Sequence, residues 1–395
     1  MTDRKSAYQY LPLQLSFLIF SMLLNCMGIV ILKYSGSQIT FQKLGILEFF
    51  KDIPIALVSL FCVDFISRLG SVKSLGFALW LVVIGCLLLP VLDDFWFFKI
   101  WFIIIGVSFA IAKISVFAII KSNAGTEKQL SKIMSRVEAS FMIGIFCVNM
   151  GFGWLLNSRF HEFWKFGFWL IALLSLFTLW KLMKSDYQEV SSGKMQRLSG
   201  LRKIMTPSNL LFFFILFLLV FTEQCFNSWL PTFYKKNLNV NSFYALQSSA
   251  FLALFSFLGR YLTSKFITRF QWLRYILFCL VTLMILMIVS QILVLNIKEN
   301  LWILLFIFPI LGLFIAPLYP LYNSRFLANI EKEKVNLMVS FIVIFSSMGS
   351  SVGSLGMSYV FALGADLYFM LFAMLPLLLI LALTIIFSRK LILRQ

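Results

Sequence analysis

The sequence predicts an all-α integral membrane protein that crosses the bilayer twelve times. Three observations carry that reading. First, 61% of the 395 residues are hydrophobic and only 13% are charged. A soluble domain needs a far larger polar share to cover its surface. Second, apolar runs of about 20 residues recur along the chain, the length a helix needs to cross hydrocarbon. Third, lysine and arginine concentrate in alternate gaps between those runs, which is how membrane proteins fix their orientation.

The runs place helices at about 13–33, 43–66, 74–92, 96–120, 135–157 and 163–183. They resume at about 208–231, 242–266, 274–296, 301–324, 337–362 and 367–388. The first run is too long for the apolar core of a signal peptide and lacks a small-residue cleavage site, so it reads as a retained helix. The second is interrupted by Glu48, Lys51, Asp52 and Pro54. The fourth carries Lys113. The fifth, with Ser140, Gly144, Cys147 and Gly151 on one face, offers a small surface for close helix packing. The seventh contains Glu223, Gln224 and Asn227 ahead of "SWLP". The tenth holds Pro309, Pro317 and Pro320, which can bend it. The eleventh, "SSMGSSVGSLGMSY", is a second small-residue helix whose serines can also line a path.

The longest polar interruption runs from Ser185 to Ser208 and is rich in Ser, Gly and basic residues. It divides the chain into an N-terminal six-helix bundle (1–184), a linker (185–207) and a C-terminal six-helix bundle (208–395). An even number of spans puts both termini on one side. All but ten of the 34 Lys and Arg residues fall on that side, so the termini read as cytoplasmic and the membrane as an inner, plasma membrane. Eight lie opposite, and two, Lys51 and Lys113, fall inside spans. The net charge of +18 is therefore an orientation signal, and nucleic acid is not an expected partner.

The six cysteines lie in or beside spans without ligand spacing, and the lone His161 sits in a loop beside Arg159 and Glu162. No disulfide framework, metal site or cofactor is implied. The loops hold no catalytic constellation, so the chain does not read as an enzyme. No GxxxxGK[ST] loop is present, so ATP is not the direct energy source.

"SLFCVDFISRLGSVKSL" follows the second run, with Ser59, Asp64, Arg68, Gly70 and Lys73 in the order small, acid, base, glycine, base. With twelve helices, cytoplasmic termini and a central loop, this resembles the major facilitator superfamily. That family carries Gly-x-x-x-Asp-Arg-x-Gly-Arg-Arg at this place. Here three extra residues separate Asp64 from the glycine. Gly259-Arg260, in "FLGRYLTSKFITRFQWLR", is similar to the degenerate second copy. The resemblance implies two pseudo-symmetric bundles that rock about a central site, gated by Asp64, Arg68, Lys73 and Arg260. The fifth run lacks the proline of that family's drug antiporters, which counts against a multidrug role.

The charges inside the spans are the candidate binding residues. A charge at the bilayer centre costs about 2.5–3.5 kcal/mol on insertion scales, so it needs a partner or a task. Counting back from Asp64 at about 1.5 Å per residue puts Asp52 ~18 Å and Glu48 ~24 Å away. Asp52 then lies near mid-membrane and Glu48 in the outer third. Glu48, Lys51, Asp52, Ile55 and Ser59 share a face that should meet a water-filled cavity. Lys51 neutralises one of the two acids and leaves the other free to titrate. Lys113 needs an anion, with Asp52, Glu138 or the solute as candidates. Glu223 and Asn227 share a face of the seventh helix and add a polar site toward its outer end.

The expectation is a monomeric, proton-coupled secondary transporter in the bilayer, moving a small polar solute by alternating access. Carboxylates in a low-dielectric cavity can titrate near neutral pH, so protons are the expected coupling ion. The two buried lysines point to an anionic solute, such as an organic acid or a carboxylate siderophore. An exporter of hydrophobic or cationic compounds, and a sugar or amino-acid permease, remain as alternatives.

Overall fold

The computed structural model describes residues 10–34, 40–92, 95–123, 127–187, 206–237, 240–266, 271–296, 304–328 and 335–392. All of its regular structure there is helical. We number the spans α1 (Leu11–Leu24 and Met27–Tyr34), α2 (Phe41–Leu69), α3 (Ser71–Leu88), α4 (Phe95–Asn123), α5 (Glu127–Asn157) and α6 (Gly167–Met183). They continue with α7 (Pro207–Asn237), α8 (Ser242–Phe266), α9 (Trp272–Asn296), α10 (Leu304–Ile315 and Leu318–Ala328), α11 (Val335–Ala362) and α12 (Phe369–Ile392). Most of the segment expected as the linker, 188–205, lies outside the described residues.

Among the described residues, eleven helices are long and apolar enough to cross a membrane. The helix that stands apart is α2. It has the length, 29 residues, but Glu48, Lys51 and Asp52 raise its charge. Leu57 and Phe61 of α2 are exposed, while Glu48, Lys51 and Asp52 are buried. The helix therefore turns its charges inward and its large apolar side chains toward the lipid position.

Local chemistry sets the boundaries. Thr40 caps α2 by accepting from the Lys43 backbone N–H at 3.4 Å. Gly70 alone joins α2 to α3, at φ 90° and ψ 147°, a conformation that a side chain disfavours. The expected signature glycine thus makes a one-residue corner rather than a loop. The expected bend in the tenth span falls at Ala316–Pro317, where the helix splits in two, while Pro309 stays within the first piece. A second break, at Asn25–Cys26 in α1, holds no proline, and Gly28 follows two residues on. There the Asn25 carboxamide donates to the Ser21 carbonyl at 2.9 Å, giving its side chain a local partner at the break.

Close approach between helices follows the small residues. A Cβ on Gly106 of α4 would meet the Lys51 carbonyl and the Pro54 ring, so α4 presses on α2 at its charged turn. A Cβ on Gly45 would meet the Ser358 side chain at 2.6 Å, closing α2 on α11. Gly349 and Gly353 of α11 meet Phe217 and Phe221 of α7. On α5 the expected small face divides. Gly144 meets Leu18 and Ser21 of α1, but Gly151 has open space around it.

Candidate functional site

Glu48, Lys51 and Asp52 form one buried cluster, with 0%, 3% and 4% of their surface exposed. One helical turn brings the Lys51 Nζ to 2.5 Å from Glu48 Oε2, and it also stands 3.8 Å from Asp52 Oδ1. The same ammonium donates to the Leu24 carbonyl at 3.4 Å, just before the break in α1. One cation thus serves two carboxylates.

The remaining carboxylate oxygens reach across to the second half of the chain. Glu48 Oε1 accepts from the Gln224 side-chain amide at 2.8 Å and from the Ser228 hydroxyl at 2.7 Å, both on α7. Asp52 Oδ2 accepts from the Ser351 hydroxyl of α11 at 3.0 Å. The sequence face predicted to meet water is therefore divided. Lys51 and Asp52 line a cavity, whereas Glu48 is sealed between α2 and α7. Glu48 cannot meet a solute there without the helices parting.

The cavity has a volume of about 190 Å³. Spans from both halves of the chain wall it. Phe17, Phe109, Phe117 and Phe141 give it an apolar side. Tyr319, Ser346, Ser347 and Ser350 give it a hydroxyl-rich side. Lys113 from α4, Glu138 from α5, and Glu223 and Asn227 from α7 face it as well. The Lys113 ammonium stands 5.5 Å from the Phe109 ring centroid, a cation–π distance. Among the described residues, Lys113, Glu138 and Glu223 have no partner at ion-pair distance.

Two placements differ from the sequence reading. Arg260, expected at a gate on the terminal side, lines the cavity and donates through Nε to the Ala316 carbonyl at 3.2 Å. Arg260 binds a carbonyl whose usual helical donor position, four residues on, is Pro320 and carries no N–H. Glu223 was expected toward the outer end of its span. The helix runs six residues beyond the predicted end, to Asn237, so Glu223 falls at its middle. Arg260 and Glu138 are its charged neighbours. The other gating residues, Arg68 and Lys73, are exposed beside Gly70, and the side chain of Asp64 lies outside the described residues. Ser228 is the cluster residue that sequence reading passed over, while Gln224 was noted only beside Glu223, Ser351 only among the small residues of the eleventh span, and Arg260 only as a gate. Gln224 lies beside Glu223 in the sequence, but nothing local marks its partner 176 residues away.

Beyond the Glu48 cluster, where α2 begins and α7 ends, aromatic and ionic side chains pack across the two halves. Phe41 at the start of α2 meets Trp229 of α7 and Phe361 of α11, with ring centroids 6.1 and 5.8 Å apart. The Trp229 indole donates to the Ser354 hydroxyl at 3.0 Å. Lys236, paired with Asp366 at 2.8 Å, stands 5.7 Å from the Phe41 ring centroid. These residues lie one to three helical turns beyond the Glu48 cluster.

The model of the Major Facilitator Superfamily matches residues 13–324. The chain belongs to that superfamily. No curated protein sequence matches it. Among solved structures it is similar to a D-xylose–proton symporter, at 13% identity and TM-score 0.73, over 94% of this chain and 96% of that one. It is similar to a variant of the E. coli fucose:proton symporter, at 15% identity and TM-score 0.69, over 97% and 98%. A bacterial homologue of the human lysosomal transporter Spinster, in an inward-facing and occupied conformation, shares 14% identity at TM-score 0.66, over 98% and 97%. At these identities the likeness is one of fold. As a superfamily member the chain is a transporter rather than an enzyme.

Proposed function

We propose that this transporter moves a small polar solute by proton-coupled alternating access, its first six spans rocking against its last six. The observation that carries the reading is one cavity shared by a buried acid and a base that has no ion-pair partner among the described residues. Asp52 faces it with one oxygen bonded across to α11, and Lys113 faces it from α4. Two of the structural relatives are proton symporters, which accords with protons as the coupling ion.

The geometry supplies a mechanism. As a carboxylate, Asp52 holds Lys51 and accepts from Ser351, which ties α2 to α11. A proton on Asp52 removes the charge that Lys51 answers and weakens the tie. Lys51 then falls to Glu48 alone, and the far end is freer to part. Lys113 seats an anionic group of the solute, because an ammonium facing a low-dielectric cavity gains strongly from a counter-charge. An organic acid suits this site. Nothing in the lining singles out a siderophore. With the termini in the cytoplasm of a plasma-membrane monomer, the far end serves as the outer gate.

Uptake into proteoliposomes tests the reading. Organic acids, amino acids and sugars are offered with and without an inward proton gradient. Gradient-driven uptake that Lys113→Ala abolishes is the expected result. Uptake indifferent to the gradient removes the coupling, and unchanged affinity in Lys113→Ala removes the anion seat. The four phenylalanines favour a second reading, export of amphiphiles, which growth in the presence of toxic amphiphiles separates from the first.

A further inference from the structure

The charges left over in the cavity say more about the solute than Lys113 alone. In the Glu48–Lys51–Asp52 cluster one ammonium serves two carboxylates, whose remaining oxygens accept from the neutral Gln224, Ser228 and Ser351 side chains. What remains is Lys113 on α4, Glu138 on α5, Glu223 on α7 and Arg260 on α8. Their formal charges cancel. Yet among the described residues Lys113, Glu138 and Glu223 sit at no ion-pair distance from any partner, and Arg260 spends its Nε on the Ala316 carbonyl. A low-dielectric space that keeps opposite charges apart is costly when empty. It is relieved by a ligand that carries both signs.

Simpler ligands fit less well. A plain anion satisfies Lys113 but places its charge before Glu138 and Glu223. A plain cation satisfies the glutamates but meets Lys113 and Arg260. A neutral sugar brings no counter-charge to any of the four, and only Glu223 has the opposite charge of Arg260 as a neighbour. Phe17, Phe109, Phe117 and Phe141 add an apolar wall, which suits a hydrocarbon or aromatic side group.

We infer that the solute is a zwitterion of the amino-acid type, its carboxylate at Lys113 and its ammonium at Glu138 and Glu223, with an apolar side group against the phenylalanines. This rests on the transport reading above and narrows its organic acid to one that also bears an amine.

The test is a binding experiment on the purified protein, which needs no proton gradient and so fails or succeeds apart from the coupling. Thermal shift and intrinsic tryptophan fluorescence are followed with leucine, phenylalanine and tyrosine. Each is compared with its deaminated acid and its decarboxylated amine. The expected result is that at least one amino acid binds at least tenfold more tightly than both of its counterparts. Glu138→Gln or Glu223→Gln should narrow the gap to the deaminated acid, and Lys113→Met the gap to the amine. The comparison of the three probe classes on the unaltered protein stands even if a variant fails to fold. Equal binding of the deaminated acid overturns the ammonium seat while leaving an anion transporter intact. Failure of all three amino acids to bind overturns the inference outright, and gradient-driven uptake of some other solute would then show that the transport reading survives it.

Discussion

Replacing Lys51 by methionine isolates the part of the site that holds the protein together. Methionine keeps much of the length and apolar volume of the lysine stem and removes only the ammonium. That ammonium is 2.5 Å from Glu48 and 3.8 Å from Asp52, and both acids are almost wholly buried. Two carboxylates one helical step apart would then face each other with hydroxyl and amide donors alone. Breaking a buried ion pair by removing one partner costs about 3–5 kcal/mol, because the other charge stays buried and uncompensated. On the unfolding entropy of globular proteins, about 2.1 cal/mol/K per residue, that corresponds to a drop of about 5 °C in the melting temperature. The assay is tryptophan-detected melting in detergent. Its control is the triple variant Lys51→Met, Glu48→Gln, Asp52→Asn. With all three charges gone, most of the loss should return, since the coupling between the sites is then removed together with both sides of it. A single variant as stable as the parent would refute the ion-pair account. So would a triple variant no more stable than Lys51→Met.

Four further outcomes follow from the packing and the cluster. Ser228→Ala removes one of the two hydrogen bonds that α7 gives to Glu48, worth about 1.5–3 kcal/mol for a charged acceptor, and should lower the melting temperature while adding no cavity. Gly45→Leu drives a side chain into Ser358 and should hold the far end open, raising labelling of Phe41→Cys by an impermeant maleimide. Gly70→Ala forces a side chain into φ 90° at the single residue joining α2 and α3, and should cost about 1–3 kcal/mol in melting assays. Five of the six cysteines are buried and Cys147 is half-buried, so brief thiol titration of the folded protein should modify Cys147 first.

The order, number and approximate bounds of the spans were legible because lipid imposes a length and a composition on each one. The charged face of α2 was legible for the same reason: three ionisable groups stand out against so apolar a background. What those groups touch was not. Glu48 finds Gln224 and Ser228 through pairing of α2 with α7, and no periodicity within either helix encodes that pairing. Lys51 was expected to serve one acid and serves both, since Asp52 follows it directly and the side chain reaches either way. Arg260 was misplaced because a charge next to a basic loop counts toward orientation in any sequence reading. Only the Ala316 carbonyl, which Pro320 leaves without its usual helical donor, shows why an arginine can stay inside. The bend in α10 announced itself through proline, whereas the break in α1 at Asn25 had no such marker.

The central claim is that Asp52 couples a proton to solute movement through the cavity. The direct measurement is proton flux into proteoliposomes loaded with a pH-sensitive dye, triggered by a pooled set of amino acids, organic acids and sugars. The protein as it stands should acidify the lumen as solute enters. Asp52→Asn should abolish that acidification while still exchanging solute across the membrane. Solute accumulation without proton movement, or equal acidification by Asp52→Asn, would contradict the account.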